Sequence, residues 1–344
     1  MGNKILVTGG TGYIGSHTVV ELQESGFEPL IIDNLSNSDR KVTGLIEQIT
    51  GTKPHFEQVD ICDADHMKDF FARHSRISGV IHFAAYKAVG ESVQQPLKYY
   101  HNNLTGLMNL LQCMQEYNVP HLVFSSSCTV YGQPDRLPVT EDAPVKQAVS
   151  PYGNTKQISE EIIADTAAQS NLQAISLRYF NPIGAHESGL IGELPIGVPD
   201  NLVPYITQTA IGKRKQLSIF GSDYNTPDGS CIRDYIHVSD LAGAHVKALQ
   251  RMLNKGSAQP HEVFNVGTGT GYSVLEVVNT FEKVTGEKVN RVISKRRPGD
   301  VEQVWADTTL ANKELGWKAE KGLEEMMATA WQWEKNMDEG ILNS

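Results

Sequence analysis

The feature that most constrains this chain is the run Thr8-Gly9-Gly10-Thr11-Gly12-Tyr13-Ile14-Gly15, placed directly after the apolar stretch Ile5–Val7 and directly before the helix-like Ser16–Glu24. Gly10, Gly12 and Gly15 fit the G-x-G-x-x-G spacing, and Gly9, Gly12 and Gly15 fit the related G-x-x-G-x-x-G. One glycine makes a tight turn, one lets the backbone approach a pyrophosphate, and one lets helix and strand pack closely. The helix amino terminus, with Tyr13, Ile14 and Gly15, then offers free N–H groups and a partial positive charge to phosphate oxygens.

Beyond residue 24 the chain has the rhythm of a parallel sheet. Short runs rich in branched residues, Pro29–Ile32, His55–Val59, Val80–Phe83, Leu122–Phe124 and Ile175–Leu177, alternate with longer segments of helical period. Runs apolar on both faces belong to strands covered by helices on both sides, so the expectation is an α/β, doubly wound parallel (Rossmann) sheet. The texture changes after Tyr179-Phe180-Asn181-Pro182 to a stretch heavy in Gly and Pro. The expected division is therefore residues 1–183 as a dinucleotide-binding domain and 184–344 as a smaller mixed α/β domain that closes over a ligand. Some later segments could return to the first domain; the order of the strands is not readable from the chain.

Among 344 residues, 40% are hydrophobic and 20% charged, enough to bury a large core. A formal net charge of -10 argues against nucleic acid as a partner, which needs a concentrated basic face. The apolar runs are too short to cross a bilayer or direct secretion, so no membrane partner is expected. Cys62, Cys113, Cys128 and Cys231 are widely spaced and suggest neither a disulfide framework nor a metal site, which suits a reducing cytoplasm.

The second strand ends in Asp33, followed by Asn34. A carboxylate there accepts hydrogen bonds from the adenosine ribose and repels the extra phosphate of NADP, which favours NAD, although Arg40 nearby leaves NADP open. Later strand ends should complete the site, with Asp60 and Ile61 beside the adenine and Phe83, Ala84, Ala85 and Lys87 along the cofactor. Asp60 reads equally well as a helix cap for Asp63–Ala72, and Lys87 as a solvated surface lysine.

The fifth strand runs into Ser125-Ser126-Ser127, and Ser150-Pro151-Tyr152-Gly153-Asn154-Thr155-Lys156 comes some twenty residues on. A helix starting near Tyr152 puts Tyr152 and Lys156 at i and i+4 on one face. The ammonium is then expected to favour the ionised phenol, which can take a proton near neutral pH. Ser127 can hydrogen-bond the same substrate oxygen.

Together TGGTGYIG, IHFAAYKAVGES, SSSCTVYG, SPYGNTK, LRYFNPIGAH and RDYIHVSDL resemble the UDP-glucose 4-epimerase family of extended short-chain dehydrogenases/reductases, from Ile5 to about Trp333. The resemblance implies an enzyme that inverts carbon 4 of a UDP-hexose. Tyr152 removes the C4 hydroxyl proton while NAD accepts the C4 hydride; the 4-keto sugar turns over and hydride returns to its opposite face. It also implies that Asn181, Asn201, Leu202, Ser218, Phe220, Arg233, Arg297 and Asp300 hold the UDP-sugar, alongside Lys87, Ser127 and Tyr152. Asn102 and Phe180 would touch the nicotinamide side, and the chain would form a homodimer through helices near Pro96–Tyr117 and Tyr152–Ala168. Arg233 could instead pair with Asp234, and Phe220 could be core.

Relatives that dehydrate or decarboxylate nucleotide sugars carry an acidic residue just after the active-site Ser/Thr, where this chain has Cys128 and Thr129. A net oxidoreductase or dehydratase, and a cofactor-binding sensor without turnover, are the rival readings; Tyr152 and Lys156, both present, weigh against the sensor. Where epimerases restricted to simple hexoses tend to have a bulky tyrosine, this chain has Val304. A smaller wall there could admit an N-acetyl group, so UDP-N-acetylglucosamine and UDP-N-acetylgalactosamine are expected substrates too.

Overall fold

The computed structural model describes residues 3–297 and 300–343. Its strands are β1 (Lys4–Thr8), β2 (Glu28–Asp33), β3 (His55–Gln58), β4 (Ile77–His82), β5 (His121–Ser125), β6 (Gln173–Tyr179), β7 (Asn181–Ile183), β8 (Leu217–Phe220), β9 (Ile232–His237), β10 (His261–Val266), β11 (Gly271–Ser273), β12 (Arg291–Ser294) and β13 (Gln303–Val304). Seven of them form one parallel sheet in the order β10-β6-β5-β4-β1-β2-β3. The order reverses between β1 and β4, and in open α/β sheets a ligand crevice forms outside the carboxyl strand ends at such a point.

Helices cover both faces. On one, Val19, Val20 and Leu22 of Tyr13–Glu24 pack with Leu241, Leu249 and Met252 of Val238–Leu253 against Ile5, Val7 and Ile31. On the other, Phe70 and Phe71 of Ala64–Arg73 and Leu107, Leu110 and Leu111 of Gly106–Glu116 pack against Leu6, Leu30 and Val80. Alternate residues of a strand face opposite sides, so Ile5 and Val7 enter one core and Leu6 the other.

Two smaller sheets stand apart from this one. β7, β11 and β13 all pair with β9, and β8 pairs with β12. A third core, including Val203, Ile206, Ile219, Phe281, Met326 and Met327, lies beneath them. Strand β10, late in the chain, completes the main sheet at the edge beside β6. Among the described residues no helix is long and apolar enough to cross a membrane.

Candidate active site

The glycine turn has the shape its spacing predicts. Gly9 takes φ +71°, a left-handed conformation open to glycine, and a Cβ there would lie 2.9 Å from the Ala84 backbone nitrogen. A Cβ on Gly15 would sit 2.2 Å from the Gly9 oxygen, so Gly15 is what lets the helix close onto the turn. Gly12 caps Tyr13–Glu24 with backbone alone, leaving no side chain over that helix end. A bare helix amino terminus beside a cradle that a Cβ would fill suits a pyrophosphate.

Around this cradle the strand ends supply the rest. Asp33 ends β2 with Oδ1 accepting from the Leu35 N–H at 2.9 Å and the Ser38 hydroxyl at 3.0 Å, while Oδ2 faces the Thr11 N–H at 3.4 Å. Asn34 donates to Asp60 at 3.2 Å, and the other Asp60 oxygen accepts from the Cys62 N–H at 2.8 Å. The cap of Ala64–Arg73 is Asp63, which accepts from the Asp65 and His66 N–H groups, so Asp60 is not needed in that role. Ile61 is buried against Gly106, and the Cys62 thiol reaches the Asn102 carbonyl at 3.5 Å. Asn102 lies in a π-helical turn, His101–Thr105, a local widening that often marks functional sites.

After β4, Phe83 packs on the His245 ring and the Ala84 N–H donates to the Thr8 hydroxyl at 3.3 Å, ahead of Ala85 and Lys87. The loop is pinned by Asn103. Its side-chain oxygen accepts from the Tyr86 N–H at 2.9 Å, and its amide donates to the Tyr86 carbonyl and the Thr155 hydroxyl, each at 3.1 Å. Thr155 precedes Lys156, so Asn103 ties the cofactor-side loop to the helix bearing Tyr152. Sequence reading passed over Asn103; an asparagine inside an otherwise apolar helix face is the signal it left.

Ser150 caps the helix Pro151–Ala168 by accepting from the Gly153 N–H at 3.1 Å, with Pro151 in the first turn. This start fixes Tyr152 and Lys156 one turn apart, with the ammonium 5.9 Å from the Tyr152 ring centre. Ser127, between β5 and the short helix Cys128–Tyr131, interacts with the Tyr152 phenol as a hydrogen-bond partner. Serine, tyrosine and lysine therefore converge at the β5 end.

The electrostatics differ from the sequence expectation. Burial raises the Tyr152 pKa and neighbouring Tyr179 raises it further, against which the Ser127 hydrogen bond pulls it down. Lys156 does not hold the phenol anionic in the chain alone, because its ammonium donates to the Ser125 carbonyl at 2.6 Å and rests over the Phe124 ring at 4.8 Å. Burial lowers Lys156 to about 8, offset in part by Glu160 one turn on.

Glu160 is itself buried. It accepts from Arg178 through Nε at 3.0 Å and Nη2 at 2.5 Å, and from the Ser126 hydroxyl. Arg178 lies within the LRYFNPIGAH segment, yet it supports the site from behind, with its guanidinium over the Tyr131 ring at 4.8 Å.

The residues expected to hold a sugar nucleotide fall into small groups. Lys87 and Asn201 meet on one carboxylate, Glu193, at 3.1 and 2.5 Å. Sequence reading missed Glu193, since nothing local in Gly192-Glu193-Leu194 points across the chain to Lys87. Arg233 pairs with Asp300 at 3.4 Å, while neighbouring Asp234 is taken up by Thr268, Gly269 and Ala306. Arg297 lies over the Phe220 ring at 4.5 Å, and Phe220 is 36% exposed, so it is not core. Ser218 shares β8 with Phe220 on the two-stranded sheet, and Arg297 follows its partner strand β12.

Asn181 opens β7 opposite Tyr235, and Leu202 begins the helix Leu202–Ala210 against the third core. Phe180 and Val304 are buried in one cluster with Val130, Tyr131 and Val139, so the expected nicotinamide-side and sugar-side apolar residues share a wall. Strand pairing sets Val304 beside Arg233.

A glycine-turn dinucleotide cradle with a serine, tyrosine and lysine at the adjoining strand ends defines the extended short-chain dehydrogenase/reductase class. The family described as GDP-mannose 4,6 dehydratase matches residues 6–330. Over 333 residues the chain is 53% identical to the UDP-glucose 4-epimerase of Bacillus subtilis, covering 96% of this chain and 97% of that one. It is 52% identical to the Haemophilus influenzae enzyme of the same name, with 98% of each chain covered. The crystal structure of UDP-glucose 4-epimerase from Stenotrophomonas maltophila, with bound NAD and formylated UDP-arabinopyranose, superposes with a TM-score of 0.94 at 49% identity, covering 98% of this chain and 99% of that one. The UDP-Glc/GlcNAc 4-epimerase of Campylobacter jejuni gives 0.83 at 35% identity, covering 97% of this chain and all of that one. The chain belongs to the UDP-glucose 4-epimerase family.

Proposed function

We propose that the protein is an NAD-dependent UDP-hexose 4-epimerase, interconverting UDP-glucose and UDP-galactose through a 4-keto sugar. The observation that carries this is the Ser127–Tyr152–Lys156 group beside a dinucleotide cradle, with Cys128 and Thr129 where a dehydratase needs an acid. When bound, NAD supplies a reversible hydride acceptor and the positive charge of its ring. Gly9, Gly12, Tyr13, Ile14 and Gly15 would hold its pyrophosphate, Asp33 and Asn34 its ribose, and Asp60 and Ile61 its adenine side. Phe83, Ala84, Ala85, Lys87, Asn102 and Phe180 would line the remainder.

Tyr152 takes the proton of the C4 hydroxyl and later returns it, while Ser127 shares that oxygen. Because the phenol is neutral in the chain alone, added positive charge is needed to bring it toward ionisation. Lys156, lowered to about 8, is still mainly an ammonium at pH 7 and adds to that charge. Arg233, Arg297, Asn181, Asn201, Leu202, Ser218, Phe220 and Asp300 hold the nucleotide part, so the hexose is free to turn. In this reading the seven-stranded sheet serves the cofactor, and the smaller sheets, mostly from 184–344, serve the sugar nucleotide.

The small Val304 side chain, in the same wall as Phe180, supports activity on the N-acetylated pair as well. Supplying UDP-galactose and UDP-N-acetylgalactosamine separately, with no NAD added, and identifying products by NMR tests both claims. Each should give its C4 epimer. A persistent keto product or consumed nicotinamide would overturn the epimerase reading; turnover of the plain sugar alone would overturn only the N-acetyl claim.

The protein would act in the cytoplasm as a homodimer. Supporting this pairing, Leu97 is 81% and Met108 43% exposed on the helices at the expected interface, an apolar display costly in water. Light scattering should return the mass of two chains, and a monomer at assay concentration would count against it.

A further inference from the structure

Outside the catalytic site, one cluster has the composition of a transition-metal site. His55 and Glu57 are two residues apart on the edge strand β3, so their side chains share a face. His74 closes the helix Ala64–Arg73 beside them. His55 Nε2 and His74 Nε2 approach the same carboxylate oxygen, Glu57 Oε1, at 3.0 and 2.5 Å. Arg73 engages the other oxygen, Oε2, at 2.5 Å. Among the described residues this is the only group of three or more His, Cys, Asp or Glu whose ligand atoms all lie within 4.8 Å of one another.

We propose that His55, Glu57 and His74 form a surface binding site for a zinc-like divalent transition metal. Two imidazole nitrogens and one carboxylate oxygen are a standard ligand set for zinc, with water free to fill a fourth position. Tetrahedral bonds of about 2.0–2.2 Å place ligand atoms about 3.3–3.6 Å apart, so a metal would push the His74 ring back from its 2.5 Å contact and need a smaller shift of His55, now at 3.0 Å. The carboxyl end of the helix adds partial negative charge, which favours a cation. Arg73 need not leave, because Oε1 rather than Oε2 faces both rings. The His55 side chain is 48% exposed, which leaves an entry path.

The site would tie edge strand β3 to the helix that follows it. None of His55, Glu57 and His74 is among the residues that line the cofactor or sugar site, so metal at this site is expected to leave turnover unchanged.

The experiment is calorimetric titration of ZnCl2 into untagged, chelator-treated full-length protein, beside His55→Asn, His74→Asn and the double variant. One zinc per chain is expected, with binding weakened at least about tenfold in each single variant and lost in the double variant, since removing a ligand costs no less than removing a group that orients one. Turnover within about twofold of the parent, together with an unchanged thermal melt, checks that the variants are folded, which matters most for His74 because it packs on the Phe70 ring. Absence of a zinc-binding step in the parent, or equal binding in parent and double variant, overturns the proposal.

Discussion

Tyr152 is only 7% exposed, so ionising its phenol in the chain alone would place a charge where water cannot solvate it. The phenol therefore stays neutral until a ligand bearing positive charge is bound beside it. Tyr152→Phe should lower kcat by about 10²–10⁴-fold, the range of general acid–base catalysis, with UDP affinity nearly unchanged. Steady-state rates and UDP titration separate the two, and a variant as fast as the parent would refute the role of Tyr152. Lys156 adds a stability argument. Its folded pKa, lowered to about 8, lies below that of the unfolded chain, so the penalty of burying the ammonium is complete below pH 8 and is relieved as pH rises above it. Lys156→Met should thus be about 1–3 kcal/mol more stable than the parent at pH 7 without ligand, yet lose turnover; urea melts at pH 7 and pH 9.5 should show the gap narrowing. The pair was readable from its spacing, because four residues on a helix is a local fact. Glu160, Asn103 and Glu193 were not, since their roles depend on Arg178, Thr155 and Lys87, which only tertiary structure brings near.

Elements were legible to the extent that burial imprints a period. The run Ile5–Val7 became Lys4–Thr8, and Ile175–Leu177 became Gln173–Tyr179, each longer because polar strand ends carry no apolar signal. β3 is the exception in kind. As an edge strand, His55–Gln58 has no buried position, so its place came from the βα rhythm rather than from its own residues. The smaller sheets were the least visible. β7, β11 and β13 have three residues or fewer, too short for any alternation to show, and their assembly depends on β9 pairing with all of them. Glycine was the most informative residue type. At Gly9 and Gly15 the backbone of another segment occupies the space a Cβ would need, so composition and geometry say the same thing there.

At the scale of the whole molecule, the order of the chain does not match the order of its layers. The first 183 residues contain six of the seven main-sheet strands, but the seventh, β10, and the helix Val238–Leu253 arrive only after β7, β8 and β9 of the smaller sheets and before β11, β12 and β13. Leu241, Leu249, Met252, Phe264 and Val266 are each at most 2% exposed, and all belong to the core that includes Val19, Val20 and Ile5. Burying a large apolar side chain is worth roughly 1.5–3 kcal/mol, so these five together contribute on the order of 10 kcal/mol. That is comparable to the entire stability of a typical domain, about 5–15 kcal/mol. A fragment ending at residue 183 would keep the glycine turn, Ser127, Tyr152 and Lys156, yet expose one face of β6 and of the first helix. It should therefore lack a cooperative thermal transition and bind the dye ANS, as chains without fixed packing do. Supplying residues 184–344 in trans should restore the transition, and a sharp melt with NAD binding by residues 1–183 alone would show that the late strand and helix are dispensable.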